Sequence, residues 1–163
     1  MDDGLTALAR QLGHDLRIAG RSLATAESCT GGWVAQVLTS IPGSSRWFER
    51  GFVTYSNLSK RELLGVRTET LARFGAVSEQ TARAMAEGAL AHSHADYALA
   101  ITGIAGPEGG TPEKPVGTVC FAWAQRQRPS HSATRLFSGD REEIRRQSVA
   151  AALEGLRDYA AHG

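Results

Sequence analysis

The chain has 163 residues, 42% of them hydrophobic and 21% charged, enough for one globular domain whose core needs no covalent staple. Eighteen Lys+Arg against seventeen Asp+Glu leave a formal net charge of +1, which excludes the basic face of a nucleic-acid binder. Two cysteines without paired spacing, Cys29 and Cys120, leave one disulfide between them conceivable but exclude a secreted framework or a zinc knuckle, and no apolar run reaches the length of a membrane span.

An acidic start, Met1-Asp2-Asp3-Gly4, leads straight into amphipathic spacing with no signal-peptide pattern, so a soluble, cytoplasmic protein is expected. Leu5, Leu8, Ala9, Leu12, Leu16 and Ala19 recur at helical intervals, and Gly20 closes that helix. A short strand within 21–27 runs into the Gly31-Gly32 pair, and a helix follows that stops before Pro42-Gly43. The aromatic and β-branched run from Trp47 to Tyr55 suits a second strand, with two helical stretches after it, near 58–64 and 69–74. Ser78 caps a helix with Ala82, Met85, Ala86, Ala89 and Leu90 on one face.

Tyr97 to Ile101 reads as an apolar strand ending at Thr102. From Gly103 to Pro115, four glycines and three prolines among thirteen residues exclude regular structure, and a loop of that length is usually functional or mobile. Residues 116–124 and 133–137 read as a hairpin across a polar connection. Asp140 and Glu143 form a capping box for a last helix that carries Val149, Ala152, Leu153 and Leu156. This order predicts an α/β fold, a single domain over 1–163: a three-layer α/β/α sandwich with a mixed, mostly parallel sheet of about five strands.

Three loops follow the early strands: Ser28 to Gly32, Tyr55 to Lys60 and Thr102 to Gly106. Ligands of open α/β sheets bind beyond the carboxyl ends of the strands, so these loops are expected to converge. Ser28 is a poor nucleophile until a base takes its proton. His14, His92, His94, His131 and His162 all lie away from the three loops, and the His92/His94 pair at a helix end is expected on the surface. Lys60 is the alternative base, provided burial lowers its pKa from about 10.4. Tyr55 would relay the proton or hold the amine, Thr102 would complete the network, and backbone N–H groups from Thr30 to Gly32 would form an oxyanion hole.

Each of these residues has a plainer reading. Ser28 serves as well for a helix cap, Cys29 for a small buried filler, and Tyr55 for a strand-end aromatic. Lys60 alone suits a solvated helix, Gly31 and Gly32 tight packing, and Thr102 and Gly103 a strand stop. Arg145 and Arg146 read as a solvated face interleaved with Glu142 and Glu143, with Arg141 the exception.

Five ordered blocks sharpen the choice: Thr25-Ala26-Glu27-Ser28-Cys29-Thr30-Gly31-Gly32, the segment from Gly51 to Asn57, Gly75 to Ser78, Thr102 to Pro107, and Lys114 to Thr118. Together they resemble the CinA C-terminal domain family, whose characterised enzymes are nicotinamide-nucleotide amidases. The resemblance spans essentially the whole chain, through Ser138-Gly139-Asp140-Arg141 and the last helix, and suits the stand-alone form of the domain. It implies hydrolysis of nicotinamide mononucleotide (NMN) to nicotinic acid mononucleotide and ammonia in pyridine-nucleotide recycling. It also implies a three-layer fold with a mixed sheet, a serine mechanism without metal or cofactor, and a homodimer.

Ser28 matches the family's nucleophile, Tyr55 and Lys60 its activating pair, and Thr102 the hydroxyl before the glycine-rich loop. For the phosphate, chemistry alone nominates Ser44, Ser45 and Arg141, with Gly103 and its loop closing over substrate. Two other functions stay open: an amidase for another small carboxamide, and a non-catalytic nucleotide-binding or regulatory domain.

Overall fold

The computed structural model describes residues 2–163. Its elements in chain order are α1 (Asp3–Ala19), β1 (Leu23–Glu27), α2 (Trp33–Thr39), β2 (Phe48–Val53), α3 (Asn57–Leu64), α4 (Thr68–Phe74), α5 (Glu79–Ala91), β3 (Tyr97–Gly103), β4 (Thr118–Gln125), β5 (Arg128–Leu136) and α6 (Arg141–Ala161). A single 3₁₀ turn, Ser44–Arg46, precedes β2.

Helix ends follow the local chemistry. The Asp2 carboxylate accepts the Leu5 amide at the start of α1, and Gly20 ends that helix in the left-handed region. Ser78 caps α5 through the Thr81 amide, and Asp140 with Glu143 forms the capping box of α6.

One mixed five-stranded sheet, in the order β2-β1-β3-β4-β5, is flanked by helices on both faces. Strand β1 pairs in parallel with both β2 and β3, while β3–β4 and β4–β5 are antiparallel. The hairpin differs from expectation. β5 begins at Arg128, and the connection is only Arg126 and Gln127, with Gln127 at φ 60°. The first half of β5 is polar because this edge strand is largely exposed, which hides it from a hydrophobicity pattern.

Alternation along the strands divides the interior into two unlike cores. On one face Leu23, Leu99, Ile101, Val119, Phe121 and Trp123 pack against α1, α2 and α6. On the other, Ala24, Ala26, Ala98, Ala100, Ala122 and Ala124 meet Ala82, Met85, Ala86 and Ala89 of α5 and Leu64 of α3. Small residues on both sides let α5 approach closely. Its Gly88 lies so near α3 that an added Cβ would stand 1.9 Å from the Leu64 carbonyl oxygen.

Candidate active site

The parallel strands β1, β2 and β3 end level with one another: Glu27 is in register with Val53 on one side and Ile101 on the other. Beyond those ends lies a cavity of about 300 Å³. Its walls include Ser28 and Cys29 after β1, Tyr55 after β2, Lys60 on α3, and Thr102, Gly103 and the following loop after β3. The three expected loops do converge here, where β1 sits between strands reached by crossovers on opposite faces.

Ser28 and Lys60 are in contact: Nζ stands 3.0 Å from the serine Oγ and donates to the Thr54 carbonyl at 2.7 Å. Lys60 is only 1% exposed and Ser28 only 7%. No carboxylate pairs with the amine among the described residues, and its desolvation pushes the Lys60 pKa below the ordinary 10.5. A charge on Cys29 would oppose that shift. Burial, however, pushes the Cys29 thiol up to about 12, so it stays neutral and inert at neutral pH. The structure agrees with the plainer reading of Cys29 as a buried filler.

Glu27, which sequence reasoning passed over, organises the serine loop. Its carboxylate is 0% exposed and accepts from Thr30 Oγ1 at 2.6 Å and from the Val34 and Ala35 amides at 2.9 and 3.0 Å. Helix α2 starts after Gly32, which has no side chain to cap it, so the carboxylate at the end of β1 fills that role. An uncapped glycine start beside an acidic strand end was the available signal. Ser28 therefore does not cap α2, and the N-terminus of α2 does not offer these donors to substrate.

Arg145 was also missed, because its partners lie more than a hundred residues away in sequence. Its guanidinium donates to the Cys29 and Thr30 carbonyls, both at 3.1 Å, and stacks over Trp33. Arg146 pairs with Asp2. Neither belongs to a merely solvated face.

The remaining site candidates separate clearly. Thr102 lines the cavity, but its hydroxyl donates to the Ala76 carbonyl at 2.8 Å, fixing the Gly75 to Ser78 segment against the end of β3. Tyr55 is 63% exposed at the cavity mouth. Its hydroxyl accepts from Arg141 at 3.2 Å and forms no hydrogen bond to Ser28 or Lys60 among the described residues. Arg141 also donates to the Gly106 carbonyl at 2.7 Å, tying the loop to the mouth. A second tie runs from Lys114 Nζ to the Phe74 carbonyl at 3.0 Å.

Five expected substrate-binding residues move. The Thr30 hydroxyl is committed to Glu27, and the Gly31 amide donates to the Ser28 carbonyl at 2.9 Å. Gly31 and Gly32 adopt φ of 59° and 102° to make this turn, and neither lines the cavity. The amides of Cys29 and Thr30 take no acceptor among the described residues, but only Cys29 lines the cavity and remains as a donor there. Ser44 and Ser45 are at the wrong end of the sheet: they precede β2, whose first residue pairs with Leu23 at the start of β1. The Pro42 to Ser45 pattern resembles an anion loop, but local sequence does not reveal the sheet edge on which it lands.

A serine against a neutralisable buried amine, in a cavity that also holds the unpaired Cys29 amide and Arg141, can activate a hydroxyl and receive an anionic substrate. No group of three or more His, Cys, Asp or Glu stands where it could hold a metal among the described residues. Fold and site thus define a three-layer α/β/α domain with a serine–lysine centre at its strand ends.

Comparison with known proteins agrees. Residues 5–160 match the CinA C-terminal domain. The nicotinamide-nucleotide amidohydrolase PncC of Escherichia coli (strain K12) is 56% identical over 155 residues, covering 95% of this chain and 94% of its own. PncC of Pseudomonas putida is 52% identical over 154 residues, covering 94% and 96%. The crystal structure of the competence/damage inducible protein CihA from Agrobacterium tumefaciens superposes with a TM-score of 0.93 at 50% identity, covering 97% and 96%. The chain belongs to the CinA C-terminal domain family.

Proposed function

We propose that the protein is an amidohydrolase that converts NMN and water to nicotinic acid mononucleotide and ammonia, in pyridine-nucleotide recycling. The observation that carries this reading is the 3.0 Å contact between Ser28 Oγ and a lysine amine taken out of water. High identity to the PncC enzymes supplies the substrate class.

In this mechanism neutral Lys60 accepts the Ser28 proton as Oγ attacks the carboxamide carbon. The Thr54 carbonyl holds the amine so that its lone pair faces the hydroxyl. The Cys29 amide stabilises the oxyanion, a device worth roughly 3–4 kcal/mol per donor. Collapse of the tetrahedral intermediate expels the nitrogen, which takes the proton back from Lys60 and leaves as ammonia. Water then attacks the acyl-serine with Lys60 again as base, releasing the carboxylate and restoring Ser28.

Arg141 receives the phosphate at the cavity mouth, and Tyr55, already bonded to it, shapes that mouth. Thr102 positions the wall opposite. The whole chain acts as one amidase domain on a small nucleotide, without nucleic acid. The free thiols Cys29 and Cys120 suit a reducing compartment, so the cytoplasm belongs to this proposal. No described helix is long and apolar enough to cross a membrane. A homodimer is included on family resemblance alone.

Incubating the purified protein with NMN and measuring ammonia and nucleotide together tests the reading. Equal amounts of ammonia and nicotinic acid mononucleotide are expected. NMN binding without turnover would favour the non-catalytic nucleotide-binding domain instead.

A further inference from the structure

At the opposite edge of the sheet, where β1 and β2 begin, a second concavity of about 250 Å³ is formed between α1 and the turn before β2. Arg10, His14 and Arg17 recur at i, i+4 and i+7, so one face of α1 carries all three side chains into its wall. Arg46 closes it from the other side, above Ile41 and the buried Trp47 ring. The Gly43 amide, also in the wall, takes no acceptor among the described residues.

None of Arg10, Arg17 or Arg46 forms an ion pair among the described residues. The adjacent acid on α1, Asp15, is held by Arg157 of α6 at 2.9 Å. Four other clefts each contain a carboxylate: Glu154 and Asp158, Glu108, Glu79 and Glu113, and Asp2. This one contains none. The helix dipole accounts for Arg17 in the last turn of α1, but not for Arg10 or Arg46. In a chain of net charge +1, three unneutralised guanidiniums around one hollow repel each other and favour an anionic occupant.

We propose that this concavity is a second, non-catalytic anion site that takes a compact diphosphate group, free or carried by a nucleotide. The guanidinium forks suit phosphoryl oxygens, which accept paired charge-assisted hydrogen bonds. The hollow is too small for a folded partner, and Trp47 forms its floor rather than a flat basic surface. The site is separate from the serine–lysine centre and does not depend on the reaction assigned there.

Calorimetric titration of the full chain with inorganic pyrophosphate tests this, in an Arg141→Gln background that removes the active-site guanidinium. One saturable site is expected, weakening as salt rises. Adding Arg10→Gln and Arg46→Gln should weaken it by at least about tenfold, since both side chains are exposed and each loses its charge and its guanidinium fork. In the wild-type chain, pyrophosphate should shift the indole N–H resonance of Trp47, and not those of Trp33 and Trp123. Adenosine diphosphate binding more tightly would place a nucleoside in the same hollow. Absence of saturable binding, binding indifferent to Arg10 and Arg46, or binding of hexaglutamate but not pyrophosphate would overturn the proposal.

Discussion

The two faces of the sheet are built from side chains of different size. Phe121, Trp123, Leu99 and Ile101 make a thick layer under α1, α2 and α6. Alanines at 24, 26, 98, 100, 122 and 124 make a thin one under α3 and α5. The thick face carries stability, since its large side chains bury the most apolar surface. The thin face carries geometry. It lets α5 sit close to the strands and, through Gly88 against Leu64, brings in α3 with Lys60 on its inner side. The nucleophile loop belongs to the thick side, held by Glu27 and Arg145, whereas the base arrives from the thin side. The reaction centre is where the two meet at the strand ends.

Four substitutions would break or sharpen that contrast. Lys60→Met should lower turnover by about 10²–10⁴-fold or more, read as kcat in an ammonia assay. The same variant should be more stable than wild type in acid. Below its lowered folded pKa, the native state bears the cost of a charged, buried Lys60. That cost fades as pH rises and is gone above the unfolded value of 10.5. Melting temperatures of the two proteins should therefore converge with rising pH. Wild-type kcat should rise through the lowered folded pKa at the start of that window and then level off, and a flat profile would contradict the role of base.

Leu153→Ala, on the thick face, should cost roughly 2–5 kcal/mol in denaturant unfolding while the folded fraction keeps its kcat/KM. Gly88→Ala should cost about 1–3 kcal/mol, and should also lower kcat, because the added methyl pushes α3 and Lys60 away from Ser28. If Leu153→Ala impaired catalysis as much as Gly88→Ala, the division between the faces would fail. Arg141→Gln should have the smallest effect, raising KM for NMN by about 10–100-fold with kcat largely kept. A selective fall in kcat would instead tie Arg141 to the reacting atoms.

Much of this arrangement was legible in the sequence because it is local. The caps at Ser78 and Asp140, the apolar strands and the glycine turn after Ser28 all depend on neighbours within a few positions. Placing Ser28 and Lys60 together drew on the rule that ligands gather beyond strand ends and on the resemblance to the CinA C-terminal domain family. What stayed hidden depends on distant partners or on exposure. Arg145 looked solvated until α6 was seen beside the serine loop. Glu27 looked like an ordinary strand end until the bare start of α2 was seen above it. Ser44 and Ser45 have suitable chemistry but follow a helix that returns the chain to the far edge. Tyr55, matched to a proton relay, reaches Arg141 at the mouth instead.

The central claim is that desolvation lowers the pKa of Lys60 beside Ser28 so that it can serve as base, and the sequence makes a direct reading possible, because Lys60 and Lys114 are its only lysines. In protein labelled with ¹³C at lysine Cε, a pH titration by NMR should show two resonances, and Lys60→Met should remove one. That resonance is expected to titrate below 10.5. A Lys60 that keeps its proton up to the ordinary lysine range would contradict the account.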